Sequence, residues 1–228
     1  MKPESDTELL RVENLSRSFF MAGVEVKALQ QVNLTIGAGE LVALKGKSGS
    51  GKTTLLNLLG GLDQPSSGEI YYRGRGLSTF SENDLVEIRR SQIGFVFQSF
   101  ALIPTYSALE NVELVLRLAG GDPQKDRHRA IHSLRAVGLG NRVDSHPDEL
   151  SGGQQQRVAI ARAIANHPDL ILADEPTGEL DSTTTQQIFR LFRQLVDHEG
   201  LTILVTSHNP LVEEVADRVI EITDGKVY

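Results

Sequence analysis

The sequence predicts an α/β fold on a mostly parallel sheet, and three observations carry that expectation. An apolar run, Leu41-Val42-Ala43-Leu44, leads into the glycine-rich stretch GKSGSGKTT (46–54) and then a leucine-rich helical period. Two further short apolar runs, Leu170 to Ala173 and Thr202 to Thr206, each follow a helical period of their own. Strands that alternate with helices are the pattern of crossover connections, hence of parallel pairing.

The elements follow in chain order. The first eight residues read as a loose tail. Short β-type runs are expected at Leu9 to Val12, Val32 to Ile36 and Leu41 to Leu44, parted by turns such as Gly37-Ala38-Gly39. Thr53 to Leu62 reads as a helix burying Leu55, Leu56, Leu58, Leu59 and Leu62, and Gly68 to Gly74 as a short hairpin strand. From Gln98 to Leu150 the period is mostly helical, with breaks at Pro104, Gly120-Gly121-Asp122-Pro123 and His146-Pro147, which predicts an inserted helical subdomain. Gly152 to Asn166 and Ser182 to His198 read as helices, Leu211 to Arg218 as a short one, and Val219 to Tyr228 as a hairpin about Asp224-Gly225. The expected organisation is one domain, 1–228, with a core from about 8–97 and 151–228 and a helical insert from about 98–150.

Composition narrows the function classes. A net charge of −7 offers no general basic field for nucleic acid. The 228 residues contain no cysteine, so no disulfide framework or thiolate metal site exists, which suits a reducing cytosol. The N-terminus lacks the apolar core of a signal peptide, and no apolar run approaches the roughly 20 residues that a membrane span needs.

Gly46, four residues, then Gly51-Lys52-Thr53 fits a phosphate-binding loop between strand and helix. The glycines let successive N–H groups of Gly46, Lys47, Ser48, Gly49, Ser50 and Gly51 point inward, and the helix N-terminus adds partial positive charge. Lys52 is placed for the β- and γ-phosphates of a nucleotide and Thr53 for Mg²⁺, with Thr54 behind it. A flexible strand–helix turn is the plain alternative, and the loop alone fits kinases, small GTPases and motors equally. LSGGQQQR (150–157) adds a second helix start suited to an anion, with Ser151 as cap and Gly152-Gly153 allowing close approach before Gln154. In LILADEPTGELD, Asp174 ends an apolar strand, where it can support a magnesium shell. Glu175 follows, placed to orient or deprotonate a water.

Together, the phosphate loop, LSGGQ and LILADEP resemble the ATP-binding subunits of ABC transporters over essentially the whole chain. The resemblance implies the P-loop ABC ATPase fold: a mainly parallel core sheet, an N-terminal antiparallel β-subdomain and an inserted α-helical subdomain. It implies ATP and Mg²⁺ as cofactors. It also implies a head-to-tail dimer in which the phosphate loop of one copy faces Ser151, Gly152, Gly153 and Gln154 of the other. Gln98, in GFVFQSF, corresponds to the glutamine that contacts Mg²⁺ and the lytic water. His208, in LVTSHN, corresponds to the switch histidine at the γ-phosphate, and Asp181, in GELD, to the aspartate that meets the second copy. For the aromatic over adenine, Phe19 matches and Phe20 competes, either being equally able to pack in a core.

Longer stretches (LLNLLGGLDQPSSGEI, IGFVFQSFALIPTYSALENVEL) resemble the macrolide-exporter and lipoprotein-releasing branch. That branch implies a peripheral subunit at the cytoplasmic face of the cell membrane, two integral permease subunits and, in such systems, a periplasmic or extracellular adaptor. A regulatory ATPase that signals to a cell-wall hydrolase activator or a sensor, without transport, uses the same cassette and stays open. Lys45, Lys47, Glu179 and Asn209 depart from the residues usual at their positions. The cluster Lys125/Arg127/His128/Arg129 reads as a solvated helix face, and Arg73/Arg75/Arg89/Arg90 as ordinary surface charge, with anionic lipid headgroups as the alternative. Phe100, Leu102, Ile103, Tyr106, Leu109 and Val112 are expected either to line a groove for a partner's helix or to form the insert's own core.

Overall fold

The computed structural model describes residues 8–21 and 23–228. The tail expected at the N-terminus therefore lies outside the described residues, apart from Glu8, which already opens a strand. Two sheets form the frame. The antiparallel sheet has the order β2-β1-β4-β5, from β1 (Glu8–Met21), β2 (Val24–Gly37), β4 (Ser67–Tyr72) and β5 (Arg75–Gly76). The six-stranded sheet has the order β10-β9-β3-β8-β7-β6, from β3 (Leu41–Lys45), β6 (Ile93–Val96), β7 (Leu170–Asp174), β8 (Thr202–Ser207), β9 (Arg218–Thr223) and β10 (Lys226–Val227). Its strands run parallel except for β10.

The central strands read as unbroken apolar runs because both of their faces are covered. Leu41, Ala43, Ile171, Ala173, Ile203 and Val205 point into a core shared with α5 (Gly152–Ile164) and α6 (Ser182–Glu199). Val42, Leu44, Leu170, Leu172 and Leu204 point the other way, into a core with α1 (Lys52–Leu59) and the antiparallel sheet. Burying each such side chain is worth roughly 1.5–3 kcal/mol, so this alternation anchors both layers.

Several boundaries differ from expectation. The first two strands each run 14 residues rather than four or five. Register shifts around Val12, Leu15 and Arg17 reset the alternation of side chains, so the full length shows no steady period of two. The helix over the phosphate loop stops at Leu59, where Gly60 caps it, short of Leu62. A helix α2 (Glu82–Ser91) went unread because it buries only Ile88. In the helical insert, α3 (Ala108–Leu118) and α4 (Pro123–Ala136) form, and Asp122 caps α4 with Pro123 in its first turn. The short helix expected over Leu211 to Arg218 is instead a 3-10 turn, Pro210–Glu214, and Arg218 joins β9 by pairing with Val42 of β3. Ladder bonds to a buried strand outcompete a short surface helix there. At the chain's last hairpin, Asp224 and Gly225 both take positive φ, as a two-residue turn requires.

Candidate active site

The carboxyl ends of β3, β7 and β8 converge at one edge of the parallel sheet, which is where open α/β sheets bind ligands. From β3 the chain turns through Gly46 to Gly51 into α1. Gly51 stands at φ 107°, and a Cβ there would lie 2.6 Å from the Ala28 carbonyl oxygen. Only glycine fits so close an approach in that conformation. No side chain caps α1, so its first N–H groups face the loop unclaimed. The Ser50 hydroxyl is buried in the same loop without a partner.

Lys52 is 7% exposed, and its Nζ donates to the carbonyls of Gly46 (2.8 Å) and Lys47 (3.2 Å). The same ammonium lies 3.3 Å from Glu175 Oε1, while Glu175 Oε2 lies 3.0 Å from His208 Nδ1. One carboxylate is thus shared between a lysine and a histidine from different strand ends. Glu175 holds φ 43°, a left-handed conformation rare outside glycine, and its N–H donates to Thr206 Oγ1 at 2.8 Å.

Next to it, Thr53 Oγ1 donates to Asp174 Oδ2 at 2.8 Å, and Thr206 Oγ1 donates to Asp174 Oδ1 at 2.7 Å. Thr206 was missed by sequence reasoning. A hydroxyl paired in register with Asp174 inside an apolar strand was the available signal. Thr53 also borders a cavity of about 710 Å³ lined by Val26, Lys27, the phosphate loop, Gln98, Glu175 and His208. Gln98 enters from the segment after β6, its amide against Gly178. Amide N–H groups, an ammonium and hard oxygen donors in one cavity can hold a polyanion together with a small divalent cation.

The remaining predicted residues fall into two further places. Phe19 pairs with Val26 of the cavity wall but does not line the cavity, and the Arg17 guanidinium covers its ring at 4.5 Å. Phe20 is 80% exposed. Ser151, Gly152, Gly153, Gln154 and Asp181 lie outside this cavity, where α5 and α6 begin side by side. Ser151 and Gln154 cap each other reciprocally. Asp181 caps α6 through the N–H groups of Thr183 and Thr184, and the Thr184 hydroxyl's hydrogen bond holds its carboxyl below the usual range. Gln156, fully buried, donates to the Pro176 carbonyl at 2.7 Å and so ties α5 to the loop after Glu175.

The groove residues are partly corrected. Leu109 and Val112 are buried in the core and Leu102 packs against it, whereas Tyr106 is exposed. An apolar groove of about 520 Å³ lies elsewhere on α3, lined by Phe95, Phe97, Leu114, Val115 and Leu118. Among the described residues, no helix is long and apolar enough to cross a membrane.

Comparison with known proteins matches residues 29–178 to the ABC transporter family. The chain is 44% identical over 222 residues to the macrolide export ATP-binding/permease protein MacB of Syntrophobacter fumaroxidans, covering 96% of this chain and 31% of that protein. It is 46% identical over 221 residues to MacB of Salmonella choleraesuis, covering 97% of this chain and 34% of that one. It therefore spans about a third of the length of these curated relatives. Among solved structures, the dimeric structure of MJ0796, a bacterial ABC transporter cassette, matches with a TM-score of 0.87 at 43% identity over 96% of both chains. A dimeric post-hydrolysis state of the same cassette, bound to ADP and Pi, matches equally well. The family match runs from Leu29 through the phosphate loop and the Ser151 helix to Gly178, and the chain belongs to the ABC transporter family as an ABC-type ATPase cassette.

Proposed function

We propose that this cassette binds ATP with Mg²⁺ and hydrolyses it as the motor of a membrane complex of the macrolide-exporter and lipoprotein-releasing type. The observation that carries this reading is the Glu175 carboxylate, held between Lys52 and His208 beside the Thr53–Asp174 pair. The uncapped N–H groups of α1 and the phosphate loop receive the β- and γ-phosphates. Lys52 then exchanges Glu175 for phosphate oxygen. That exchange frees the carboxylate to orient or deprotonate the attacking water, a role worth about 10²–10⁴ in rate. His208, exposed at the cavity mouth, stays beside Glu175 and faces the γ-phosphate.

The Thr53 hydroxyl, the Asp174 carboxylate and the Gln98 amide oxygen are the hard donors that would hold Mg²⁺. The Thr53 and Asp174 oxygens already lie 2.8 Å apart, so both would be within reach of one small divalent cation. The bound ion supplies charge neutralisation on the phosphate oxygens. Phe19, paired with the cavity-lining Val26 but itself outside the cavity, would stack on an adenine that extends past Val26, with Arg17 backing its other face. Ser151 to Gln154 and Asp181 of a second copy close the site head to tail, excluding bulk water.

The groove beside Phe97, one residue before Gln98, receives an apolar helix of a permease subunit, so that its movement is felt in the cavity. The cassette is then peripheral on the cytoplasmic face of the membrane. The test is Glu175→Gln, which keeps shape and removes the base. With ATP and Mg²⁺ it should sediment as a dimer that disappears with ADP or on chelating the metal, while hydrolysis is lost. A monomer under all conditions would reject the dimeric site.

A further inference from the structure

Exposed charge of opposite sign stands beside the phosphate loop and beside the starts of α5 and α6. On the phosphate-loop face, Lys27 and Lys47 line the cavity wall, both exposed and neither ion-paired among the described residues. Lys52 is already engaged by two carbonyls and Glu175. On the other face, where α5 and α6 begin, most acidic groups are spent locally. Asp181 caps α6, and Glu149 accepts from the His146 N–H. Asp148 and Glu179 remain: each is exposed and meets no cation among the described residues, and of the two Glu179 lies in the loop that leads from Glu175 into α6.

Its loop is firmly held. Gln156 donates to the Pro176 carbonyl, the Gly178 N–H to the Glu175 carbonyl (3.0 Å) and the Leu180 N–H to the Thr177 carbonyl (3.1 Å). A Cβ on Gly152 would lie 3.4 Å from Leu180, so the side chain next to Glu179 rests on the start of the Ser151 helix. Whatever surface receives Ser151 and Gly152 therefore also receives Glu179.

We infer that Glu179 of one copy pairs with Lys47 of a second copy across the head-to-tail dimer, and by symmetry twice per dimer. The inference rests on the dimer proposed above. In that arrangement the helix start at Ser151 meets the phosphate loop, which brings Glu179 to the loop's exposed lysine. Two rigid, oppositely charged loops lose little freedom on pairing. Single exposed pairs are weak, but an isologous interface counts each twice and a reversal turns attraction into repulsion. The occupant that this charge pattern selects is a copy of the same chain, and the pair sets the register in which two copies close.

The experiment uses the full chain carrying Glu175→Gln, with ATP and Mg²⁺, and measures dimer dissociation by sedimentation. At ATP concentrations that saturate each variant by direct nucleotide binding, Glu179→Lys and Lys47→Glu should each weaken the self-dimer about tenfold or more, because each places like charges together twice. Mixed in equal amounts, the two single variants should form a heterodimer of near-parental strength, since both of its contacts again join opposite charges. Raising NaCl from about 50 to about 500 mM should weaken the parent more than Glu179→Gln. Single reversals that dimerise like the parent would overturn the pair, as would a mixture no tighter than either single variant. A parent that stays monomeric overturns the dimer itself, an outcome the reversals cannot mimic.

Discussion

The starts of α1 and α5 are chemically alike, each glycine-rich and each suited to an anion, yet they are finished differently. Gly51 leaves α1 without a capping side chain, whereas Ser151 and Gln154 close a capping box on α5. Around α1 stand the groups that chemistry requires: Lys52, Glu175, His208 and the Thr53–Asp174 pair. Around α5 stand another helix start with its cap, Asp181, and the loop that carries Glu179. The difference teaches that an open helix terminus is ready to take a ligand within its own chain. A capped one is stable alone and offers only its remaining N–H groups, here those of Gly152 and Gly153, to a surface that docks against it.

Four changes would break or sharpen that contrast. Lys52→Ala should cost the most, lowering hydrolysis by about 10²–10³ if the ammonium stabilises charge on the transferred phosphoryl group. Steady-state turnover on a protein with unchanged thermal unfolding is the measurement, and normal turnover would remove α1 from the chemistry.

Gly153→Ala acts on the other helix. Its Cβ would lie 2.4 Å from the Thr184 methyl, a β-branched side chain whose hydroxyl is held by Asp181. Forcing that contact should cost about 1–3 kcal/mol in denaturant unfolding, whereas a Cβ absorbed without loss would mean that the two helix starts are loosely packed. Ser151→Ala should cost less, about 0.5–2 kcal/mol, through the lost cap, and should leave the affinity of a single copy for nucleotide unchanged.

The smallest effect is a matter of pH. Hydrogen bonding lowers the carboxyl of Asp181 below its unfolded value, so its stabilising contribution is complete above the ordinary carboxylate range. It is lost as pH falls through the depressed folded value. The gap in melting temperature between the parent and Asp181→Ala should therefore be present at neutral pH and close on acidification. A gap that widens in acid would reverse the sign and refute the capping account.

What could be read along the chain was whatever local chemistry imposes. Glycines at 46, 49 and 51, a lysine and a threonine form a phosphate loop because neighbouring residues alone create its N–H nest, and Ser151 with Gln154 caps a helix within four positions. Apolar runs buried on both faces announced β3, β7 and β8. Reach across the chain was invisible. Bulges hid the length of β1 and β2, a single buried isoleucine hid α2, and the β3 ladder claimed Arg218 from a helix. The groove lies along Phe97, Leu114 and Leu118 rather than along Leu109 and Val112, because packing of α3 on the core chose which apolar side was covered. Nor does a sequence show that Glu175 sits between Lys52 and His208, residues 123 positions before it and 33 after it in a chain numbered 52, 175 and 208. The sequence by itself determined the local anion sites and the buried strands, since neighbours suffice for turns, caps and periodicity. Only the tertiary structure decided which strand ends share one carboxylate and which apolar face stays open, because both depend on parallel strands brought together by long crossovers.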